Sequence, residues 1–106
     1  MGKKRVNFMK ELQEFMQKVK KVIGVDKFIL FGSRAIKTAK KNSDIDLLIV
    51  SKDFEGIKFF KRAPPLYLLW KAPYDIDIIC LTPDELALKT KEVGIIQQAI
   101  KEGKEL

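Results

Sequence analysis

Two pairs of aspartates, each interrupted by one isoleucine, are the residues of this chain best suited to chemistry. They are Asp44-Ile45-Asp46 and Asp75-Ile76-Asp77, and each pair leads into an apolar run. Side chains alternate along a β-strand, so the two aspartates of a pair share one face. If the two strands are neighbours, three or four carboxylates meet on one patch, and their mutual repulsion calls for a cation. Oxygen ligands of this kind suit Mg²⁺ or Mn²⁺, which also bind phosphate oxygens.

A second group of residues, Gly32-Ser33-Arg34, is suited to binding an anion. Gly32 lets the backbone approach a phosphate closely, and the N–H groups at the start of a following helix would join the Ser33 hydroxyl. Arg34 adds a charge-assisted hydrogen bond. By themselves these residues also fit a plain turn with a helix cap, just as one Asp-x-Asp fits a strand end with an exposed acid. Their combination favours a metal and phosphate site.

The elements that must position these residues follow from hydrophobic periodicity and from turn signals. Helices alternate with strands, which predicts an α/β (α+β) fold in which helices flank a small mixed β-sheet. Residues 1–106 are expected to form a single domain, with an N-terminal helix in 1–23, a catalytic core in 25–81 and C-terminal helices in 83–102. The predicted helices are 6–23, 33–40, 54–62, 64–71, 83–92 and 95–102, and the predicted strands are 25–31, 44–50 and 74–81.

Two features refine this pattern. Pro64-Pro65 suits the start of a helix and separates the two middle helices, and Thr82 with Glu85 has the form of a capping box.

Cys80 lies in an apolar run, which predicts a buried and inert thiol. The aromatic residues Phe59-Phe60, Tyr67 and Trp70 fit a core better than a base-stacking surface.

Composition excludes several classes of protein. The chain has no histidine, which rules out His-based metal sites and Ser-His-Asp triads, and its one cysteine rules out an internal disulfide. No apolar run approaches the roughly 20 residues of a membrane span, and no signal-peptide core follows the basic N-terminus. We therefore expect a cytoplasmic protein. The net charge of +7 favours polyanionic partners such as nucleotides or nucleic acid.

The segments Leu30-Phe-Gly-Ser-Arg-Ala35 and Ser43-Asp-Ile-Asp-Leu-Leu-Ile-Val50 resemble the polymerase-beta-type nucleotidyltransferase superfamily. More narrowly, the chain resembles the minimal nucleotidyltransferases of archaea and bacteria. The resemblance implies a polymerase-beta-like fold in which Gly32, Ser33 and Arg34 bind the nucleotide. It further implies that Asp44 and Asp46 bind two Mg²⁺ or Mn²⁺ ions. Relatives often carry a basic residue and then glycine soon after the arginine, where this chain has Ile36-Lys37.

A third carboxylate on a later strand would complete such a site. Asp77, which precedes an aliphatic run and then Thr82, fits that position best, and Asp75 is the weaker candidate. The resemblance implies two-metal transfer of a nucleoside monophosphate from a nucleoside triphosphate, with ATP expected, to a hydroxyl acceptor.

Minimal nucleotidyltransferases often pair with a small helical ribonuclease-like toxin and act as its antitoxin, so the resemblance also implies a toxin-like partner. The basic first helix and residues 57–70 are its candidate contact surfaces. Two alternatives stay open: a non-catalytic, antitoxin-like protein-binding module, and a basic nucleic-acid-binding domain. A membrane partner is not expected.

Overall fold

A computed structural model of the chain describes residues 8–31, 45–73, 75–91, 94, 97, 101 and 103–106. Its helices and strands are, in chain order, α1 (Phe8–Val22), β1 (Lys27–Phe31), β2 (Ile45–Val50), α2 (Phe59–Tyr67), β3 (Ile76–Leu81), α3 (Pro83–Lys89) and β4 (Lys104–Glu105), with a turn of 3-10 helix over Lys52–Phe54. None of the helices within these ranges is long and apolar enough to cross a lipid bilayer.

The four strands form one mixed sheet in the order β3-β2-β1-β4. β1 is antiparallel to β2 and to β4, whereas β2 and β3 run parallel. Parallel neighbours need a crossover connection, and the segment that contains α2 provides it. The predicted mixed sheet flanked by helices is therefore confirmed.

Both faces of the sheet bury apolar side chains, and the two faces differ in extent. The larger core includes Leu12, Phe15 and Val19 of α1 and Leu66 of α2, which pack with alternate residues of β1, β2 and β3. The smaller cluster, on the opposite face, comprises Ile29, Phe31, Leu48, Val50 and Leu81, with Leu86 of α3 packed against it. Burial on both faces explains why β2 reads as a continuous apolar run after Asp46.

The sequence predicted α1, β1, β2 and β3, and their described parts are confirmed with small shifts at the ends. β1 begins two residues later than expected, and α3 ends at Lys89 rather than near residue 92. The helix predicted over 33–40 lies outside the described residues, as do Asp44 and Tyr74 in the predicted strands. Of the last predicted helix, 95–102, the structure describes Gln97 and Lys101, and both are helical.

The two middle helices predicted on either side of Pro64-Pro65 are wrong. A single helix, α2, contains both prolines, and the 3-10 turn precedes it. Proline cannot donate the hydrogen bonds that the carbonyls of Phe60 and Lys61 would receive in a regular helix. Both of those residues are exposed, so water can bond their carbonyls. Tertiary packing of the buried Arg62 and Leu66 holds the helix together across this gap.

The capping box at α3 is confirmed, and one strand was not predicted. The Thr82 hydroxyl accepts the Glu85 N–H at 3.1 Å, while the Glu85 carboxylate accepts the Thr82 N–H at 2.9 Å. The unpredicted strand, β4, is two residues long and has no apolar pattern of its own. It pairs with Ile29 and Leu30, and the Leu106 N–H donates to the Phe28 carbonyl at 2.9 Å.

Candidate active site

The register of β2 and β3 places two of the predicted site residues side by side. Asp46 pairs with Asp77, and each is the second residue of its strand. Neighbouring strands lie about 5 Å apart, and paired residues of parallel strands present their side chains on the same face. Asp46 is half-buried and Asp77 is exposed. The two side chains therefore leave neighbouring strands on the same face, at one rim of the sheet.

Burial of the neighbouring isoleucines explains why the aspartates face as they do. Ile45 is 0% exposed and Ile76 is 7% exposed, and both belong to the larger core. Since strand side chains alternate, these two isoleucines direct Asp46 and Asp77 to the opposite face. A slip of one residue in either strand would bury a carboxylate and expose an isoleucine, so the apolar pattern specifies this register strongly.

Two residues that adjoin the other predicted site residues in the chain, Phe31 and Ile45, lie beside the Asp46–Asp77 pair. Phe31, which directly precedes Gly32-Ser33-Arg34 in the chain, pairs with Asp46 from β1. Ile45, which directly follows Asp44, pairs with Ile76, and its N–H donates to the Asp75 carbonyl at 2.9 Å. Gly32, Ser33, Arg34 and Asp44 themselves lie outside the described residues.

Asp75 differs from Asp77 in its place on the sheet. It precedes β3, is exposed, and has no partner in the strand register, whereas Asp77 is level with Asp46. The described residues do not by themselves make a complete metal site. Among them, no three acidic, cysteine or histidine side chains are grouped closely enough to hold a metal ion. The described part of the site is thus a carboxylate pair, and a third carboxylate ligand would have to come from elsewhere in the chain.

Helix α2 supports the outer edge of β3. The Tyr67 hydroxyl accepts the N–H of Ile78, the residue after Asp77, at 2.9 Å. Arg62 donates to the Cys80 carbonyl at 3.1 Å, and its Nε donates to the Ile57 carbonyl at 2.8 Å. Sequence reasoning assigned no role to Arg62. The available signal was a charged residue four positions before Leu66, on the helix stripe that faces the core.

Arg62 also joins α2 to α3 through a two-pronged ion pair. Its Nη1 and Nη2 donate to the two carboxylate oxygens of Glu85, the second contact at 3.0 Å. The hydrogen bond to Glu85 raises the pKa of Arg62, and the same bond lowers the pKa of Glu85 from its usual value. Arg62 is 7% exposed, so this buried cation depends on Glu85 for its counter-charge.

Cys80 takes no part in a nucleophilic site. Its side chain is 1% exposed, and burial raises the pKa of its thiol to about 12. A thiol with such a pKa stays protonated at neutral pH and is a poor nucleophile or metal ligand. The predicted buried, inert thiol is confirmed.

The aromatic residues divide into two groups, and the prediction that all of them belong to the core is wrong in part. Trp70 packs against the core, with its ring edge-on to Phe15 at a centroid distance of 5.4 Å. Tyr67, at the end of α2, is 39% exposed. Phe59 and Phe60 are 56% and 69% exposed. They lie at the start of α2, where Arg62 and Leu66 occupy the inward stripe, so the helix rotation leaves Phe60 on the outside.

An open depression of about 360 Å³ lies at the other end of β2 and is distinct from the carboxylate pair. Its lining includes Val50, Lys27 and Lys52, together with Leu86 and Thr90. Val50 is four residues beyond Asp46, a distance of about 13 Å along a strand. The acidic rim and this depression are therefore separate features.

Comparison with known proteins identifies the family. Residues 9–71, more than half of the chain, match the model of the nucleotidyltransferase domain. A protein of Methanocaldococcus jannaschii, provisionally named a protein adenylyltransferase, is 35% identical over 85 residues, which is 74% of this chain and 58% of that protein. The chain thus spans little more than half of that relative's length. Asp77 lies beyond the matched residues 9–71, whereas Asp46 lies within them.

Two solved structures resemble the fold. One is a provisionally named nucleotidyltransferase from Sulfolobus solfataricus, with a TM-score of 0.68 and 22% identity, covering 92% of this chain and 77% of that one. The other is BolA1 from Arabidopsis thaliana, with a TM-score of 0.55 and 22% identity, covering 71% of this chain and 94% of that one. Likeness at this level of identity shows the fold alone. The family match shows more, and by it the chain belongs to the nucleotidyltransferase domain family, whose general activity is nucleotidyl transfer.

Proposed function

We propose that this chain transfers a nucleoside monophosphate from a nucleoside triphosphate, with ATP as the expected donor, to a hydroxyl group of an acceptor protein. In this reaction the acceptor oxygen bonds to the α-phosphorus, the bond from that phosphorus to the bridging oxygen breaks, and pyrophosphate leaves while the hydroxyl proton passes to solvent. The observation that carries the proposal is the pairing of Asp46 with Asp77 across β2 and β3.

The residues at this rim fit a divalent cation. Asp46 and Asp77 offer hard oxygen donors on one face, and in our proposal Asp44, two positions before Asp46, binds the metal together with Asp46 while Asp77 is the third ligand. Two bound Mg²⁺ or Mn²⁺ ions would supply charge neutralisation at the phosphates and would lower the pKa of the attacking hydroxyl. The chain's own part is to hold the carboxylates level with each other.

In the proposed complex, Gly32, Ser33 and Arg34 bind the triphosphate. Support comes from Phe31, the residue before this motif, which pairs with Asp46. A triphosphate held there would lie next to the carboxylate pair, on the side of β2 away from Asp77. Phosphoryl-type transfer depends chiefly on such positioning and on charge stabilisation, which suits a chain without histidine and with an inert cysteine.

The proposal of a protein acceptor rests on two observations. The Methanocaldococcus relative is named for transfer to protein. Phe60 and Pro64 of α2 also form an outward apolar stripe with Leu68, the residue that follows the helix, and Leu68 is 74% exposed. Exposed apolar patches of this kind mark protein-binding surfaces. We propose that a small helical, toxin-like protein contacts this surface. The same stripe favours the second candidate function, a protein-binding module without catalysis.

The test is equilibrium binding of ATP, GTP, CTP and UTP, each with and without Mg²⁺, to the wild-type chain and to Asp46→Asn. We expect Mg²⁺-dependent binding of at least one triphosphate, weakened at least about tenfold in Asp46→Asn because a metal ligand is lost. Asp26→Asn is the matched control, because Asp26 is exposed and lies at the far end of the sheet, next to the 360 Å³ depression.

Equal binding by wild type and Asp46→Asn would contradict the proposed role of the carboxylate pair. Absence of binding under every condition would favour the protein-binding module. A loss of binding in Asp26→Asn as large as that in Asp46→Asn would show that the effect is a general one of negative charge.

A further inference from the structure

The outer edge of β3 is closed by side chains of α2 where another strand would otherwise pair. β3 is an outermost strand of the described sheet. The N–H groups of Ile45 and Ser51 donate to the carbonyls of Asp75 and Leu81, so the odd-numbered residues of β3 bond to β2. The backbone N–H and carbonyl groups of the even-numbered residues Ile78 and Cys80 therefore point away from β2.

Two of these outward groups have partners on α2. The Ile78 N–H donates to the Tyr67 hydroxyl, and the Cys80 carbonyl accepts from Arg62. Ile78 is 7% exposed and Cys80 is 1% exposed, so both residues are largely shielded from water. A buried, unpaired backbone group is costly, and a strand that lacks one of its bonds gains freedom to twist.

The Tyr67 contact falls at the residue that matters for the site. Ile78 follows Asp77 directly, so the hydrogen bond to Tyr67 holds the peptide group that joins them. The other side of the same peptide, the Asp77 carbonyl, faces β2 in the parallel ladder, opposite Leu47. A peptide plane held at both ends fixes the direction in which the Asp77 side chain leaves the strand.

We propose that Tyr67 is a positioning residue that keeps the Asp77 carboxylate level with Asp46 through its hydrogen bond to the Ile78 N–H. The inference rests on the proposed function, because it assigns Tyr67 a role at the same carboxylate pair. Tyr67 acts through the backbone and touches neither metal nor nucleotide in this proposal. Arg62 closes the same edge three residues from Asp77 and serves chiefly to join α2, β3 and α3.

The test compares Tyr67→Phe with wild type, since this change removes the hydroxyl and keeps the ring. The probe is Mn²⁺ alone, titrated while the broadening of the backbone amide resonances of residues 46 and 77 is followed by NMR. We expect Tyr67→Phe to bind Mn²⁺ about tenfold more weakly, the lower end of the effect of losing an outer hydrogen bond at a metal site. Hydrogen exchange of the Ile78 amide should also become faster.

A second variant separates positioning from general loss of stability. Val19→Ala removes two methyl groups from a fully buried residue of α1, on the other side of the sheet from the carboxylates. It should lower the free energy of unfolding and leave the affinity for Mn²⁺ within twofold of wild type.

Each outcome has a separate meaning. Weaker Mn²⁺ binding in Tyr67→Phe but not in Val19→Ala supports the inference. Faster Ile78 exchange with unchanged Mn²⁺ affinity would overturn it, because the hydrogen bond would then close the edge without positioning Asp77. If wild type shows no Mn²⁺ effect at residues 46 and 77, the proposed metal site fails and the inference fails with it.

Discussion

At the scale of single residues, the proposed chemistry of this chain depends on two aspartates. The sequence around each one marks it as a candidate, but only the fold brings the two side by side. Asp46 and Asp77 are each the second residue of an apolar strand, and each faces away from a buried isoleucine. Their pairing across β2 and β3 turns two ordinary Asp-x-Asp sequences into a pair of adjacent negative charges. Such a pair is stabilised by a cation, which is the physical basis of the proposed transferase site.

The strand register makes a prediction that separates Asp77 from Asp75. Asp77→Asn should weaken Mg²⁺-dependent triphosphate binding at least about tenfold, whereas Asp75→Asn should change it less than about twofold. The reason is that Asp77 is level with Asp46, and Asp75 precedes the strand. Calorimetric titration with the triphosphate that wild type binds would measure both effects.

Folding can be measured separately from binding in these variants. Both aspartates are exposed, so neither change should alter the free energy of unfolding without metal by more than about 0.5 kcal/mol. A larger effect of Asp75→Asn than of Asp77→Asn on nucleotide binding would reverse the assignment of the third ligand.

At the scale of secondary-structure elements, α2 determines how β3 is held. The helix bears Arg62, which bonds to Ile57, Cys80 and Glu85 and so connects three segments at the outer edge of β3. Glu85 in turn completes the capping box of α3 with Thr82. One buried guanidinium therefore links the outer edge of β3 to the start of the next helix.

The Arg62–Glu85 pair predicts how stability depends on pH. Glu85→Gln keeps a side chain that can complete the capping box but removes the negative charge. We expect a loss of about 2 kcal/mol in the free energy of unfolding at neutral pH. That is less than the roughly 3–5 kcal/mol for a fully buried pair, because the Glu85 side chain is 38% exposed and water screens the charge.

The difference between wild type and Glu85→Gln should shrink in acid. The pKa of Glu85 is lowered by folding from its usual value of 4.5, so its contribution is present above that value and is lost as the pH falls through the folded-state pKa. Urea unfolding of both proteins from neutral pH down to well below that usual value would measure this. A difference that stays constant across the range would show that charge is not the source of the stabilisation.

Sequence patterns predict helices and strands correctly where the local signal is strong. They fail where tertiary packing determines the secondary structure. The alternation around Asp46 and the capping box at Thr82 are local signals, and the structure confirms both. Pro64-Pro65 is also a local signal, yet α2 contains both residues, because Arg62 and Leu66 anchor the helix from within. β4 has no local signal, and it exists through pairing with β1.

At the scale of the whole molecule, the net charge of +7 bears on which polyanion the chain binds. The described residues between 56 and 73 contain the exposed Lys58, Lys61 and Lys71 and no acidic residue, whereas the rim at Asp46 and Asp77 is acidic. A nucleic-acid backbone would be attracted to the basic surface and repelled from the acidic rim unless a metal intervened. The distribution of charge thus favours a metal-bound nucleotide at the rim over a nucleic acid laid across it.

The salt dependence of oligonucleotide binding tests this distribution of charge. We expect a single-stranded oligonucleotide to bind only weakly in the absence of Mg²⁺, because the acidic rim repels its phosphates. Asp46→Asn should leave that binding unchanged or slightly strengthen it. Fluorescence anisotropy between about 50 and 200 mM salt, the range over which phosphate contacts weaken, would measure both proteins. Tight oligonucleotide binding without Mg²⁺ that falls steeply as the salt concentration rises would instead support the basic nucleic-acid-binding domain.

The sequence by itself determined the local conformations and the chemical types at the candidate site. Apolar alternation specifies which face of a strand is buried, so the pattern alone assigns Asp46 and Asp77 to the face opposite their buried isoleucines. The family resemblance also comes from contiguous residues, and the family match confirms it.

Only the tertiary structure decided which segments meet. It made β2 and β3 parallel neighbours with Asp46 level with Asp77, left Phe59 and Phe60 exposed, and brought Tyr67 to the amide after Asp77. These outcomes depend on contacts between residues that are distant in the chain, and periodicity carries no information about partners. The pairing that could make this rim a metal site is therefore a property of the packed sheet, although each of its aspartates is visible in the sequence.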